Sequence, residues 1–142
     1  MNIRLAKIDD LKDIYDLICD MESTQLDYKK FEQIFIKYLN NENFYSIVAQ
    51  DDDLIVGCLN LRVEYQLHHV EKIAEIMELA VKNEYRSKGV GKKLLDKANK
   101  ISKENNCLQI EVCCNQIREK AHKFYQREGM KNTHFKFTMD LK

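Results

Sequence analysis

Two of the four glycines in this chain lie in one short basic run, RSKGVG at residues 86–91. Glycine lets the backbone approach a ligand closely, and the N–H groups at a helix start have no intrahelical partner. Because the helix dipole also favours anions at that end, the run predicts a phosphate-binding helix start. Arg86, Lys88, Lys92 and Lys93 add positive charge there. A solvated basic helix face is the alternative interpretation of the charge alone.

The run differs from two other phosphate-binding loops. A P-loop requires G-x-x-x-x-G-K-[ST], but Gly91 and Lys92 are followed by Lys93, and Arg86 lies five residues before Gly91. A dinucleotide-binding fingerprint requires glycine at position 94, which is Leu94. Neither nucleotide-binding motif is therefore present.

Hydrophobic periodicity predicts the elements that must position this run. Helices are expected around Leu11 to Met21, Phe31 to Leu39, Gly89 to Asn105 and Ile117 to Glu128. Strands are expected at residues 2–6, 44–50, 54–65, 72–81, 108–114 and 134–141. Asp9 or Asp10 is expected to cap the first helix, and Gly57 to mark a bulge. The order predicts an α/β (α+β) fold with a mixed sheet, in one domain over residues 1–142.

Composition excludes several classes of protein. Lys plus Arg and Asp plus Glu are equal at 23 each among 142 residues, which argues against a nucleic-acid-binding protein. No apolar run approaches the roughly 18 residues of a membrane span, and the charged N-terminus resembles neither a signal peptide nor an anchor. We therefore expect no membrane partner and a cytoplasmic protein. Most of the five cysteines are expected to be small core residues, since no pair has C-x-x-C spacing.

Two longer segments carry a family resemblance. ELAVKNEYRSKGVGKKLL at residues 78–95 resembles the acetyl-CoA motif of the GNAT N-acetyltransferases, and AHKFYQREGM at residues 121–130 resembles that family's A-x-x-F-Y-x-x-x-G-F segment. Met130 replaces the usual aromatic residue. The resemblance implies a mostly antiparallel central sheet of 6–7 strands flanked by about four helices, with acetyl-CoA as cosubstrate. Residues 66–81 and 122–138 are similar to aminoalkylphosphonate N-acetyltransferases.

The resemblance implies a set of cosubstrate-binding residues. Backbone N–H groups of the helix start would hold the pyrophosphate together with the Arg86 side chain, and the preceding strand would offer its backbone to the pantetheine arm. Asn115 would bind the pantetheine as well, although asparagine at a strand end is also good turn chemistry. The whole set is Leu79, Ala80, Val81, Arg86, Ser87, Lys88, Gly89, Val90, Gly91, Lys92 and Asn115.

Three side chains are candidates for proton transfer. Tyr125 is expected to protonate the leaving thiolate, the alternative being an edge tyrosine with a satisfied hydroxyl. Glu75 or Glu78 is expected to take the amine proton. In a regular strand these two carboxylates point to opposite faces, and a bulge could change which one faces the site. We favour Glu78, which immediately precedes the Leu-Ala-Val run.

Three histidines are candidates for binding the acceptor. His68, His69 and His134 could meet an anionic substrate or a divalent ion, although a polar loop is the alternative for the adjacent pair. Adjacent histidines rarely ligate one metal, so no metal residues are assigned. A divalent metal therefore has no support in the sequence.

The sequence leaves three functions open. The first is acetyl transfer to the primary amine of a small molecule, with an aminoalkylphosphonate as the specific candidate. The second is acetylation of a peptide, protein or polyamine, because residues 1–53 hold twelve acids against six Lys or Arg and would suit a cationic acceptor. The third is a non-catalytic CoA-binding regulatory module. The sequence also leaves open a homodimer paired through the final strand.

Overall fold

Four successive strands pair antiparallel and a fifth lies beside the fourth in the computed structural model, which describes residues 1–142. The strands are β1 (Asn2–Leu5), β2 (Phe44–Asp51), β3 (Leu54–Gln66), β4 (Glu71–Val81) and β5 (Gln109–Val112). The helices are α1 (Leu11–Glu22), α2 (Tyr28–Leu39), α3 (Val90–Glu104) and α4 (Glu119–Arg127). Short 3-10 turns cover Ile8–Asp10 and Asn83–Tyr85.

The chain forms two compact units, Met1–Glu111 and Val112–Lys142. The first unit contains the sheet up to Glu111 of β5 and helices α1 to α3, and the second contains α4. The expectation of one domain over the whole chain stays a prediction.

The core of the first unit lies on both faces of the sheet. On one face, α1 and α2 pack over β2, β3 and β4, burying a cluster of Leu11, Ile14, Leu17, Ile18, Phe35, Val48, Ile55, Cys58 and Ala80. On the other face, α3 buries its apolar side chains at helical spacing, namely Val90, Leu94, Leu95, Ala98 and Ile101. Cys58 is the one buried cysteine of the five, so the expectation that most of them are core residues is wrong. Burial raises the pKa of its thiol to about 12.

Two details of the helices differ from expectation. Asp10 does precede α1, but its carboxylate accepts from the Lys7 backbone N–H (2.8 Å) and pairs with Arg4 (2.8 Å) instead of capping the helix. Asp10 is the last residue of the 3-10 turn before α1, and its carboxylate caps that turn by accepting from the backbone of Lys7. In α2, Ile34 is exposed while Phe35 is buried, so the apolar face is narrower than the periodicity predicted.

The strand expected at residues 134–141 is absent. Residues 131–142 have no regular secondary structure and all of them are exposed. A strand exists only when a neighbour accepts and donates its backbone hydrogen bonds, and within this chain the segment has no strand partner. The sheet therefore has five strands and not the 6–7 expected.

No helix in the structure combines the length and the apolar character needed to cross a membrane.

Candidate active site

The loop from β4 to α3 leads into the helix through two residues with left-handed backbone. Ser87 and Gly89 both lie in the left-handed region, with φ of 62° and 82°. Gly89 is the N-cap residue of α3, and no side chain caps it. The first N–H groups of α3 therefore have no side-chain partner from the cap residue and, with the helix dipole, can receive an anion.

Arg86 and Lys88 of this loop have exposed side chains that make only long contacts. Arg86 Nε donates to the Val81 carbonyl (3.2 Å), and its guanidinium lies 3.4 Å from the Asp20 carboxylate. The Lys88 ammonium lies 5.6 Å from the centre of the Tyr85 ring. Exposed ion pairs of this kind contribute little to stability, so these groups can turn toward a bound anion at small cost.

Gly57 lets α3 sit close to the sheet. A Cβ at this position would lie 3.0 Å from both Leu94 Cδ1 and Val90 Cγ1. The expected bulge is present beside it, because the register between β2 and β3 shifts so that Ala49 faces Gly57 while Gln50 faces Ile55. Gly57 therefore fixes where the first turns of α3 rest, and with them the uncapped N–H groups.

A bulge in β4 places the two candidate bases on one face of the sheet. Asn60 of β3 faces Glu78, Leu61 faces Ile76, and Arg62 faces Glu75, so one residue of β4 is extra. Asn60 and Arg62 share a face because they are two residues apart in a strand. Glu75 and Glu78 therefore also share that face, and the expectation for a regular strand, opposite faces, is wrong here.

Glu78 belongs to a chain of buried polar side chains. The Ser46 hydroxyl donates to Asn60 Oδ1 (2.7 Å), and Asn60 Nδ2 donates to Glu78 Oε2 (2.9 Å). Ser46 and Asn60 are both buried, and Glu78 is half-buried. Burial raises the pKa of Glu78, the hydrogen bond from Asn60 lowers it, and the charge of Glu22 raises it, with a net upward shift.

Glu75 has a different partner from Glu78. Arg62 donates to Glu75 Oε1 (2.5 Å) and also lies 3.3 Å from Glu64. This charge pairing distinguishes Glu75 from Glu78, which accepts a hydrogen bond from the neutral amide of Asn60. Of the two carboxylates, Glu75 is paired with a cation, whereas Glu78 is hydrogen-bonded to a neutral amide and has a raised pKa.

Sequence reasoning missed several residues of this face. Burial raises the pKa of Tyr38, the charge of Glu78 raises it as well, and the charge of Arg62 lowers it. One signal for Asn60 was available, since it is the uncharged amide within the apolar run LIVGCLNLRV of β3. Ser46 carried no comparable signal, because its partner is 14 residues away and is met only through sheet pairing.

The last three residues of β4 are those whose backbone the family resemblance implies would bind the pantetheine arm. Leu79, Ala80 and Val81 pair with Leu59, Cys58 and Gly57 of β3. Val81 is the last residue of the strand, and the loop that carries Arg86 follows it. The three residues and the helix start are therefore brought together at one end of the first unit.

The second unit contains Asn115 and Tyr125. Asn115 is exposed, and its Oδ1 accepts from the Ile117 N–H (3.1 Å) while its carbonyl accepts from the Arg118 N–H (3.0 Å). These contacts are those of a turn residue that leads into α4. Tyr125 is half-buried, and burial, followed by the nearby Cys114, raises the pKa of its phenol to about 12.

The candidate histidines occupy two separate segments. His68 and His69 lie in the turn between β3 and β4, with ring centres 4.3 Å apart, and His69 Nδ1 is 2.8 Å from Gln66 Oε1. His134 belongs to the C-terminal segment, where its Nδ1 is 2.6 Å from Thr133 Oγ1. No group of three or more His, Cys, Asp or Glu side chains is arranged to hold a metal ion.

Comparison with known proteins gives matches along almost the whole chain. The sequence matches the acetyltransferase (GNAT) family over residues 9–130. It is 34% identical over 139 residues to the aminoalkylphosphonate N-acetyltransferase of Salmonella typhimurium strain LT2, covering 98% of this chain and 90% of the relative. It is 29% identical over 135 residues to glucosamine 6-phosphate N-acetyltransferase 1 of Dictyostelium discoideum, covering 89% and 82%.

Among solved structures, a transcriptional regulator from Bacillus halodurans C-125 superimposes with a TM-score of 0.91 over 99% of both chains, at 24% identity. At that level of identity the likeness shows a shared fold.

Proposed function

The chain belongs to the GNAT acetyltransferase family, and from that premise we propose that it acetylates the primary amine of a small molecule that also carries a phosphonate or phosphate group. The family resemblance seen in the two sequence motifs is confirmed, and with it acetyl-CoA as the cosubstrate. The observation that carries the proposal is the uncapped start of α3 with left-handed residues before it, which one loop connects to the strand that holds Glu78.

The start of α3 fits a pyrophosphate. Its N–H groups, which no cap side chain holds, the left-handed backbone at Ser87 and Gly89, and the exposed Arg86 and Lys88 supply donors and positive charge in one place. The Gly89 position has open space around it, since a Cβ there would meet nothing within 4 Å. When bound, acetyl-CoA supplies the thioester carbonyl that an amine attacks and the thiolate that leaves.

Glu78 is the proposed general base. An amine acceptor is mostly protonated at neutral pH, and its nitrogen attacks only after the proton has been removed. Burial raises the pKa of Glu78, which makes this carboxylate a stronger base than an exposed one. The proton would pass to Glu78 directly or through one water molecule.

Tyr125 is the proposed hydrogen-bond donor to the departing sulfur. A phenol whose pKa is about 12 keeps its proton throughout the neutral range, so it is always available as a donor. Cys114 and Arg118 act on the same phenol in opposite directions, the first raising its pKa and the second lowering it. The proposed role needs only that the O–H is aimed at the sulfur position.

The acceptor class rests on the relatives. Both named enzymes act on an amine that carries a phosphorus–oxygen group, a phosphonate in one case and a phosphate in the other. His68, His69 and His134 are the candidates for meeting that group, because a protonated imidazole can donate to an oxyanion. Each of these histidines has at least one exposed neighbour or lies in an exposed segment, where a ligand can reach it.

The test is release of free CoA thiol from acetyl-CoA across a panel of amines. The panel contains aminoalkylphosphonates, glucosamine 6-phosphate, glucosamine, polyamines and lysine peptides, and each assay is repeated with a chelator. We expect the phosphorus-bearing amines to be preferred over glucosamine and over the polyamines by at least tenfold in kcat/KM.

Equal rates with and without the phosphorus group would reject the proposed acceptor class and keep the acetyltransferase. Preference for polyamines or lysine peptides would indicate that the acceptor is a cationic polyamine, peptide or protein. Tight CoA binding without thiol release on any amine would indicate a regulatory module. The variant Glu78→Gln is assayed beside the wild type on the best acceptor to separate enzymatic from spontaneous thiol release.

A further inference from the structure

Tyr85 connects the loop before α3 to a distant turn of the sheet. It is the last residue of the 3-10 turn Asn83–Tyr85, and Arg86 follows it directly. Its phenol donates to Asp51 Oδ2 at 2.8 Å, and Asp51 is the last residue of β2, 34 residues earlier in the chain. Both residues are half-buried. A side-chain contact therefore attaches the loop to the sheet one residue before the basic run RSKGVG begins.

The backbone around Asp51 is held on both sides. Asp51 faces Leu54 in the pairing of β2 with β3. The preceding residue, Gln50, accepts from Arg4 Nε of β1 (2.8 Å) and donates to the Asp52 carbonyl (2.7 Å). The neighbouring strand and the turn thus fix the position from which the Asp51 carboxylate accepts.

Tyr85 is also tied to the loop itself. Its backbone N–H donates to the Lys82 carbonyl (2.8 Å), and the Lys82 N–H donates to the Val56 carbonyl of β3 (2.8 Å). The Lys88 ammonium lies 5.6 Å from the centre of the Tyr85 ring, which is within the range of a cation–π attraction. One side chain therefore contacts the sheet through its hydroxyl and a cation of the loop through its ring.

The residues after Tyr85 adopt a backbone conformation that needs support. Ser87 has a φ of 62°, although it carries a side chain. A non-glycine residue stays in this region only where the surrounding structure holds it there. Residues 86–89 are all exposed, so burial in the core does not supply that support. The hydrogen bond between Tyr85 and Asp51 fixes the point from which this exposed segment starts.

We propose that Tyr85 is a positioning residue for acetyl-CoA, which holds residues 86–89 in their phosphate-binding shape through its hydrogen bond to Asp51. This role rests on the proposed function, in which the start of α3 holds the pyrophosphate. Tyr85 acts through the loop and through Lys88. The hydrogen bond to Asp51 raises the pKa of the Tyr85 phenol, so the phenol keeps its proton and donates at neutral pH.

Loss of this hydrogen bond has a specific kinetic consequence. Without it, the loop samples other conformations before the cosubstrate binds, and the apparent dissociation constant rises in inverse proportion to the fraction of protein in the competent shape. At saturating acetyl-CoA the bound pyrophosphate holds the loop. We therefore expect KM for acetyl-CoA to rise, while kcat and KM for the amine stay unchanged.

The experiment measures CoA affinity by calorimetric titration, together with steady-state kinetics. Tyr85→Phe removes the donor and keeps the ring beside Lys88, and we expect roughly three- to tenfold weaker CoA binding. Asp51→Ala, which removes the acceptor, should weaken CoA binding by the same factor. Asp51→Asn should restore most of the affinity, because its amide oxygen can still accept from the phenol.

Tyr45→Phe is the matched control. Tyr45 is also a half-buried tyrosine, and its hydroxyl donates to Asn105 Oδ1 (3.3 Å) at the opposite end of α3. Its substitution should leave the CoA affinity at the wild-type value. Unchanged affinity in Tyr85→Phe would overturn the positioning role. So would an equal loss in Tyr45→Phe, or a loss in Asp51→Asn as large as in Asp51→Ala.

Gly89→Ala separates this role from the proposed function. Weaker CoA binding in Gly89→Ala beside unchanged binding in Tyr85→Phe would reject the role of Tyr85 and keep the pyrophosphate at the start of α3. Unchanged binding in both variants would reject both. Circular dichroism of each variant checks that the protein is folded in every sample.

Discussion

Asn60 Nδ2 donates a hydrogen bond to Glu78 Oε2 at 2.9 Å across two neighbouring strands, at the position where their register shifts. The Ser46 hydroxyl donates to the other end of the same amide, so the NH2 group of Asn60 must face Glu78. The carboxylate is thus held by a neutral donor in a partly buried place. Burial in that place raises the pKa of Glu78 and with it the basicity of the carboxylate.

The raised pKa of Glu78 has a consequence for stability. A carboxyl whose pKa is raised by folding favours the folded state at low pH, and this contribution is lost as the pH rises through the folded pKa. Glu78→Gln removes that titration and keeps an oxygen that can accept from Asn60. We expect the melting temperature of Glu78→Gln to exceed that of the wild type increasingly from acid to neutral pH.

The control is Glu42→Gln, which removes one exposed carboxylate and so changes the net charge by the same amount as Glu78→Gln. A melting-temperature difference that stays constant with pH would show that Glu78 does not titrate with a raised pKa.

Removing the donor from Glu78 should move the pH profile of the reaction. In Asn60→Ala the carboxylate loses the hydrogen bond that favours its charged form, so its pKa rises further. We expect the acid limb of kcat/KM against pH to shift to higher pH, and Ser46→Ala to shift it less in the same direction. The measurement is the pH profile on the best acceptor of the amine panel.

Ser102→Ala is the matched control, since Ser102 is also buried and donates to the Ala98 carbonyl (2.7 Å) in α3. Truncating a buried hydrogen-bonded group costs about 1–3 kcal/mol of stability in either place. Only the substitutions of Asn60 and Ser46, which belong to the hydrogen-bonded chain of Glu78, should shift the pH profile of kcat/KM. An equal shift with Ser102→Ala would attribute the effect to lost stability.

Tyr125→Phe removes the phenolic O–H and leaves the ring in place. Loss of a general acid lowers turnover by roughly 10²–10⁴-fold, whereas the affinity for acetyl-CoA should be unchanged. Because the pKa of Tyr125 is about 12, its ionisation should leave no limb in the wild-type profile at neutral pH. Steady-state kinetics and CoA titration check the two parts, with the exposed Tyr65→Phe as control. Unchanged turnover would remove Tyr125 from the mechanism.

Gly89→Ala should weaken acetyl-CoA binding through the backbone alone. A Cβ at Gly89 meets nothing within 4 Å, so the cost is the left-handed φ of 82°, about 1–2 kcal/mol for a non-glycine residue. Gly129→Ala is the matched control, with open space and φ of 95° at a position outside the helix start. Calorimetric titration with CoA should show weaker binding for Gly89→Ala only. Equal affinities would mean that the pyrophosphate does not rest on this turn.

The sequence alone predicted the helix start at residues 86–91 and most of the elements around it. That prediction succeeded because the shape of a turn and the direction of the first helical N–H groups depend on residues next to each other in the chain. It also identified the family, since the two motifs that carry the resemblance are continuous segments. The location in the cytoplasm stays a prediction.

The tertiary structure decided what depends on pairing between distant residues. The bulge in β4 put Glu75 and Glu78 on one face, and it arises from the register of β3 against β4. The contacts of Asn60 with Ser46 and Glu78 span 14 and 18 residues, so no local pattern contains them. The strand expected at residues 134–141 is missing for the same physical reason. The alternation of apolar and polar side chains is a local pattern, but a strand forms only when a neighbouring strand makes its backbone hydrogen bonds.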